Sequence, residues 1–134
     1  MNFYRLKIYE TRKRLDHIES EFDFFTSEKI NNIKCHTFDE QVSENEMISH
    51  FHIEPDDMNF VIEIFYENHI KFDINDITVD VLTDQYEFGN DEFDEIKKDY
   101  IKNNLTLDIV LDKINSHGLD SLNEYDRSVL KSFS

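Results

Sequence analysis

The sequence predicts an α+β fold: an antiparallel sheet of four to five strands, an N-terminal helix and two to three C-terminal helices. Three observations predict it. Apolar residues alternate in the first half, recur at three and four in the second, and are rich enough in aromatics to close a core. Twelve Phe and six Tyr accompany a 33% charged content over 134 residues, and that aromatic content argues against disorder. A chain this long buries about two-thirds of its extended surface, so one core forms without a disulfide or metal staple. There is no internal repeat, linker or low-complexity segment. A single domain over 1–134 is therefore expected, sheet-rich over 1–88 and helical over 90–134.

Residues 3–9 alternate, with Tyr4, Leu6 and Ile8 on one side and Arg5 and Lys7 on the other, which predicts a strand. A helix start is the alternative. From Glu10 the period changes. Leu15, Ile18, Phe22 and Phe25 form a stripe that predicts a helix over 10–25. Residues 32–38 are expected as a short strand and 39–45 as a polar turn. Residues 46–53 place Met47, Phe51 and Ile53 on one face, with His50 and His52 opposite. Glu54-Pro55-Asp56-Asp57 reads as a turn. Residues 59–66, with apolar residues on both faces around Glu63, read as a central strand. Glu67-Asn68-His69 then reads as a hairpin connection, and Ile70, Phe72 and Ile74, then Ile77, Val79 and Val81, as further strands of a meander.

Beyond Gly89 the reading is helical. Asn90 caps a helix over 91–103 with the stripe Phe93, Ile96 and Tyr100. Thr106 caps the next, with Leu107, Val110, Leu111 and Ile114 as its apolar face and Gly118 at its end. Asn123 with Asp126 three residues on resembles a capping box, ahead of the stripe Tyr125, Val129, Leu130 and Phe133.

The formal net charge is −16. Residues 1–14 carry a local net of +4 through Arg5, Lys7, Arg12, Lys13 and Arg14 against Glu10. Residues 35–96 carry eighteen acids against one base, Lys71. This field repels nucleic acid and anionic membrane and attracts basic partners. The basic N-terminal stretch is expected to offset the acidic middle within the fold. Two glycines exclude a P-loop, a dinucleotide-binding turn and a nucleophile elbow. One cysteine excludes an internal disulfide and a Cys-rich zinc site, and Cys35 is expected as a small buried hydrophobe. No apolar run is long enough to span a membrane, and no leader-like apolar region opens the chain, which predicts a cytoplasmic setting.

His50 and His52, two apart on a strand, share a side, and His36 is a third imidazole that could join them as a metal ligand. An exposed HxH pair is ordinarily solvated, so no metal is expected. Asp73, Asn75 and Asp80 lack the mid-loop glycine and terminal glutamate of a calcium loop. Glu63 is the acid whose burial would mark a site; a solvent-facing position is the expectation. No cofactor motif and no catalytic constellation stand out. The expected function is therefore that of a non-catalytic acidic module, an inhibitor, immunity-type protein or DNA mimic acting on a basic partner. The residues expected to present the charge are Asp39, Glu40, Glu54, Asp56, Asp57, Glu67, Asp73, Asp76, Asp80 and Asp84. A dimeric secretion-type chaperone or adaptor is the second reading, and an enzyme the third.

Val110, Leu111, Asp112, Lys113 and Ile114, followed by Gly118, Asp120, Ser121, Leu122, Leu130 and Ser134, carry a resemblance. The segment 107–134 resembles a short C-terminal helical hairpin of small bacterial proteins of unknown function and of the tails of some rhomboid-type proteases. That hairpin usually has Thr where Asn123 stands and a basic residue near Asp126 or Arg127. The resemblance implies a bacterial cytosolic setting and no activity. Residues 1–100 resemble no family.

Overall fold

The computed structural model describes residues 1–18 and 35–133. The fold is α+β, and its contacts cluster into two compact units, Met1–Thr78 and Val79–Ser134.

The first unit holds a four-stranded antiparallel sheet. Strand β1 (Asn2–Ile8) is followed by helix α1 (helical over 12–18), β2 (His36–Ser43), β3 (Glu46–Ile53), helix α2 (Pro55–Glu67) and β4 (Phe72–Asp76). The strand order is β2-β3-β1-β4, not the expected meander. This β-α-β-β-α-β connectivity, with each helical crossover skipping one strand, is the ferredoxin-like split βαβ arrangement. The second half of the expected helix over 10–25 and the start of the expected strand over 32–38 lie outside the described residues.

Register explains which side chains share a face. Leu6 lies opposite Ser49 and Ile74, and Ile8 opposite Met47 and Phe72. Leu6, Ile8, Met47 and Ile53 pack with Leu15 and Ile18 of α1 and with Met58 of α2 as the buried core. Asp39 ties this layer together. Its carboxylate accepts from Ser49 Oγ at 2.6 Å and from Arg12 Nη1 at 2.8 Å, linking β2, β3 and α1.

Residues 59–66 are helical, which corrects the expected central strand. Pro55 stands in the first turn, where its missing N–H costs nothing, and Asp56 and Asp57 lie at the positive end of the macrodipole. Met58, Val61, Ile62 and Phe65 recur at three, four and seven. Met58 is buried, while Val61, Ile62 and Phe65 pack against the core. The helix ends at Asn68, whose side chain donates to Ile64 O at 2.8 Å, and His69 takes φ 56°. The expected hairpin at 67–69 is thus a helix terminus. Likewise β2 runs on through Ser43, leaving only Glu44-Asn45 as the turn.

Ile77 ends the extended backbone by donating to Phe3 O at 2.9 Å. Asp76 Oδ1 accepts from Thr78 N at 2.9 Å, an Asx turn that starts helix α3 (Thr78–Leu82). The expected strand over 77–81 is therefore replaced by one helical turn.

In the second unit, α4 (Asp91–Asn104), α5 (Leu107–His117) and α6 (Glu124–Ser132) follow, with a 3-10 turn at Leu119–Ser121. Asn90 and Thr106 cap as expected, accepting from Phe93 N and Ile109 N. Asn123 and Asp126 form a reciprocal capping box, and Gly118 closes α5 at φ 81°. Phe88, Phe93, Ile101, Val81 and Val110 are buried here. The expected apolar faces need two corrections. Leu111 is 43% exposed and Phe133 68% exposed, whereas Lys113 and Asp126 are buried. Their 2.7 Å ion pair replaces apolar contact where α5 meets α6.

Candidate partner-binding surface

None of the eighteen acids between residues 35 and 96 is buried. They are distributed over several elements of both units. In the first unit, Asp39 and Glu40 lie on the edge strand β2. Asp73 and Asp76 lie on β4, the opposite edge, and Glu54, Asp56 and Asp57 surround the start of α2. Glu67 stands in the last turn of α2. Asp80 and Asp84 belong to the second unit.

Half of these ten carboxylates are already engaged. Asp39 holds Arg12 and Ser49. Glu54 faces the N-terminal ammonium at 3.4 Å. Asp73 accepts from Tyr9 Oη at 2.7 Å, which holds the Tyr9 phenol above its usual range. Asp76 accepts from Thr78 and, at 3.4 Å, from Asn2. Asp84 pairs with Lys97 at 2.6 Å, while the same ammonium donates to Tyr86 O at 2.7 Å. Arg12 to Asp39 and Lys7 to Glu46 at 3.8 Å show the basic N-terminal stretch offsetting acids within the first unit. Glu40, Asp56, Asp57, Glu67 and Asp80 make no side-chain hydrogen bond or ion pair among the described residues. Glu67 is the least favoured of them for folding. It sits at the negative end of the α2 dipole, with no basic residue in that turn. Glu63 is exposed on the outer side of α2.

The histidines do share a face. His36 lies opposite His52, and His50 opposite Phe38. Phe3 stacks on His52 at 4.1 Å and Phe38 on His50 at 4.5 Å. Both histidines are buried, at 4% and 9% exposure, which corrects the expected solvated HxH pair. Burial, with the Arg5 guanidinium nearby, pushes His50 down to about 4, and burial lowers His52 as well. The neutral imidazoles act here as flat aromatic surface. Among the described residues, no three His, Cys, Asp or Glu side chains are placed to hold a metal ion. Cys35 is exposed, not buried as expected.

A groove of about 450 Å³ lies within the second unit between α4 and α6. Ile101, Leu105, Tyr125 and Val129 supply its apolar lining, and Lys102 and Glu124 line it as well. Its hydroxyls Ser128 and Ser132 donate back to their own helix, each at 3.0 Å.

Two features escaped the sequence reading. The exposed ring of Tyr66 (68%) leans on Phe72 of β4 at 5.4 Å, and the outer edge of β4 is unpaired by any other described strand. The period of three and four through Met58, Val61, Ile62 and Phe65 was the available signal for the first, since it puts Tyr66 at the rim of the apolar stripe.

Among the described residues no helix is long and apolar enough to cross a membrane. Comparison with protein-family models, curated proteins and solved structures finds no match to this chain.

Proposed function

We propose that this chain is a non-catalytic binding module that engages a basic protein partner through its exposed carboxylates. One observation carries the reading: of eighteen acids within 62 consecutive residues none is buried, and one base stands among them. A folded acidic surface attracts a basic partner over a Debye length and speeds its association. The uncommitted carboxylates Glu40, Asp56, Asp57, Glu67 and Asp80 are the ones that a partner's Lys and Arg reach without breaking an existing pair. A cytoplasmic setting accords with Cys35, an exposed thiol that a reducing compartment keeps free.

The test is association with a purified basic protein, followed by light scattering behind size exclusion at low and at high ionic strength. A complex at low salt that dissociates at high salt supports the reading. No complex at low salt refutes it. A dimer of this chain alone that persists at high salt favours the chaperone or adaptor reading.

A further inference from the structure

We propose that Arg5 and Asn75 form a binding site for a phosphate-class oxyanion, on the sheet face turned away from α1 and α2. Register sets the site. Leu6 and Ile8 of β1 pack in the core with α1 and α2, so Phe3, Arg5 and Lys7 face the other way. On that face Arg5 stands opposite His50 of β3 and Asn75 of β4. Arg5 is only partly exposed. Its guanidinium carries five donors, yet it makes no hydrogen bond or ion pair among the described residues. The other two arginines of the first unit each hold a carboxylate, Arg12 that of Asp39 and Arg14 that of Glu10. A partly desolvated cation with no partner is unfavourable for folding, and an anion that completes it is bound strongly. The charge is felt next door. After burial, it is the next cause that lowers His50.

The neighbours on this face state the chemistry of the ligand. Asn75 is exposed, and its side-chain amide makes no hydrogen bond among the described residues. Lys7, two residues on from Arg5, keeps its ammonium 3.8 Å from Glu46, too far for a hydrogen bond. Lys71 lies over the Tyr9 ring at 5.1 Å. Asp73 is the acid that β4 places on this face. It stands opposite Lys7, and its carboxylate accepts from Tyr9 Oη at 2.7 Å, which draws it away from Arg5. Asp76 lies on the other face, opposite Tyr4. Three bases and one engaged acid thus share the face along β1 and the start of β4. A guanidinium takes two oxygens of one anion in parallel. The Asn75 amide offers a further donor, and Lys7 a second positive charge. A phosphate group meets them with about two negative charges and three acceptor oxygens. The net charge of −16 acts against an anion at long range, and salt screens it beyond about 8–10 Å.

The probe is sodium phosphate, titrated into the ¹⁵N-labelled full chain at neutral pH, with sodium chloride holding the ionic strength constant. The expected result is a saturable shift of the Arg5 Nε–H and of the Asn75 side-chain amide. Arg5→Gln is expected to weaken binding about tenfold or more. Asn75→Ala, at an exposed position, is expected to weaken it about threefold. Arg5→Lys keeps the charge and loses the fork, and is expected to fall between the parent and Arg5→Gln. Glycerol phosphate titrated in parallel separates the sources of the group: binding as tight as that of inorganic phosphate assigns a phosphate monoester, and weaker binding assigns the free ion. No saturable shift, a shift spread over the surface lysines, or one that Arg5→Gln and Asn75→Ala leave unchanged overturns the site. If Arg5→Gln folds poorly, the Arg5 Nε–H of the parent and the Asn75→Ala variant still decide it. The acidic-module reading uses other side chains and stands or falls separately.

Discussion

The Lys113 ammonium lies 2.7 Å from the Asp126 carboxylate, and the two side chains are 8% and 1% exposed. Asp126 also accepts from Asn123 N at 3.0 Å, closing the capping box of α6, and Lys113 reaches Thr83 O at 3.4 Å. One buried ion pair thus joins α5, the start of α6 and the chain leaving α3. Removing one partner leaves an uncompensated buried charge, which costs about 3–5 kcal/mol. Lys113→Met is expected to lower unfolding free energy by that order in urea titrations. Lys113→Met with Asp126→Asn is expected to recover much of the loss. Equal destabilisation by the single and double variants would contradict the pairing.

The buried histidines set a pH dependence. His50 titrates at about 4 in the folded chain, below its ordinary 6.5. Between these values the unfolded chain binds more protons than the folded one, so stability is full above about 6.5 and declines as pH falls toward 4. For His50 alone the loss is on the order of 3 kcal/mol, and His52 adds to it in the same direction. Chemical unfolding at pH 7.5, 6 and 4.5 measures it. His50→Phe is expected to flatten the profile, and a wild-type stability that does not change over this range would contradict it.

The helical nature of α2 is checked by two substitutions. Met58 is 1% exposed, and Met58→Ala is expected to cost about 2–5 kcal/mol. Glu63→Ala, on the solvent side, is expected to change stability by less than about 0.5 kcal/mol. A large effect at Glu63 would contradict this placement.

Local signals in this sequence were legible, and non-local ones were not. The alternation of Tyr4, Leu6 and Ile8 against Arg5 and Lys7 gives β1 directly. The caps Asn90, Thr106 and Asn123 and the left-handed Gly118 depend only on neighbours three or four residues away. Residues 59–66 misled because their apolar residues satisfy both periods; Pro55 and the stripe reaching back to Met58 settle the choice for a helix. Strand order depends on pairings such as Phe3 with His52, which no local pattern encodes. The stacking of His50 on Phe38 and of His52 on Phe3 depends on the register between strands in the same way. Lys113 reads as a polar interruption until Asp126, thirteen residues on, is seen beside it. For the candidate surface, exposure of the acids was legible from residue type. Their division between two sheet edges, a helix start and the second unit was not.

Self-repulsion within a chain of net charge −16 opposes compaction and is screened by salt. Raising sodium chloride from about 10 mM to about 500 mM shortens the Debye length from about 30 Å to below 10 Å. The melting temperature is expected to rise over this range in a thermal scan. A falling melting temperature would mean that pairs such as Arg12–Asp39 outweigh the repulsion.

The most direct measurement is the affinity of a four-site variant, Glu40→Gln, Asp56→Asn, Asp57→Asn and Glu67→Gln, for a basic protein probe at several ionic strengths. These side chains hold no structural pair among the described residues, so circular dichroism is expected to match the parent. The parent is expected to bind with an affinity that falls steeply with salt. The variant is expected to bind at least about tenfold more weakly at low salt, with a shallower salt dependence. A folded variant that binds as tightly as the parent, with the same salt dependence, would contradict the central claim.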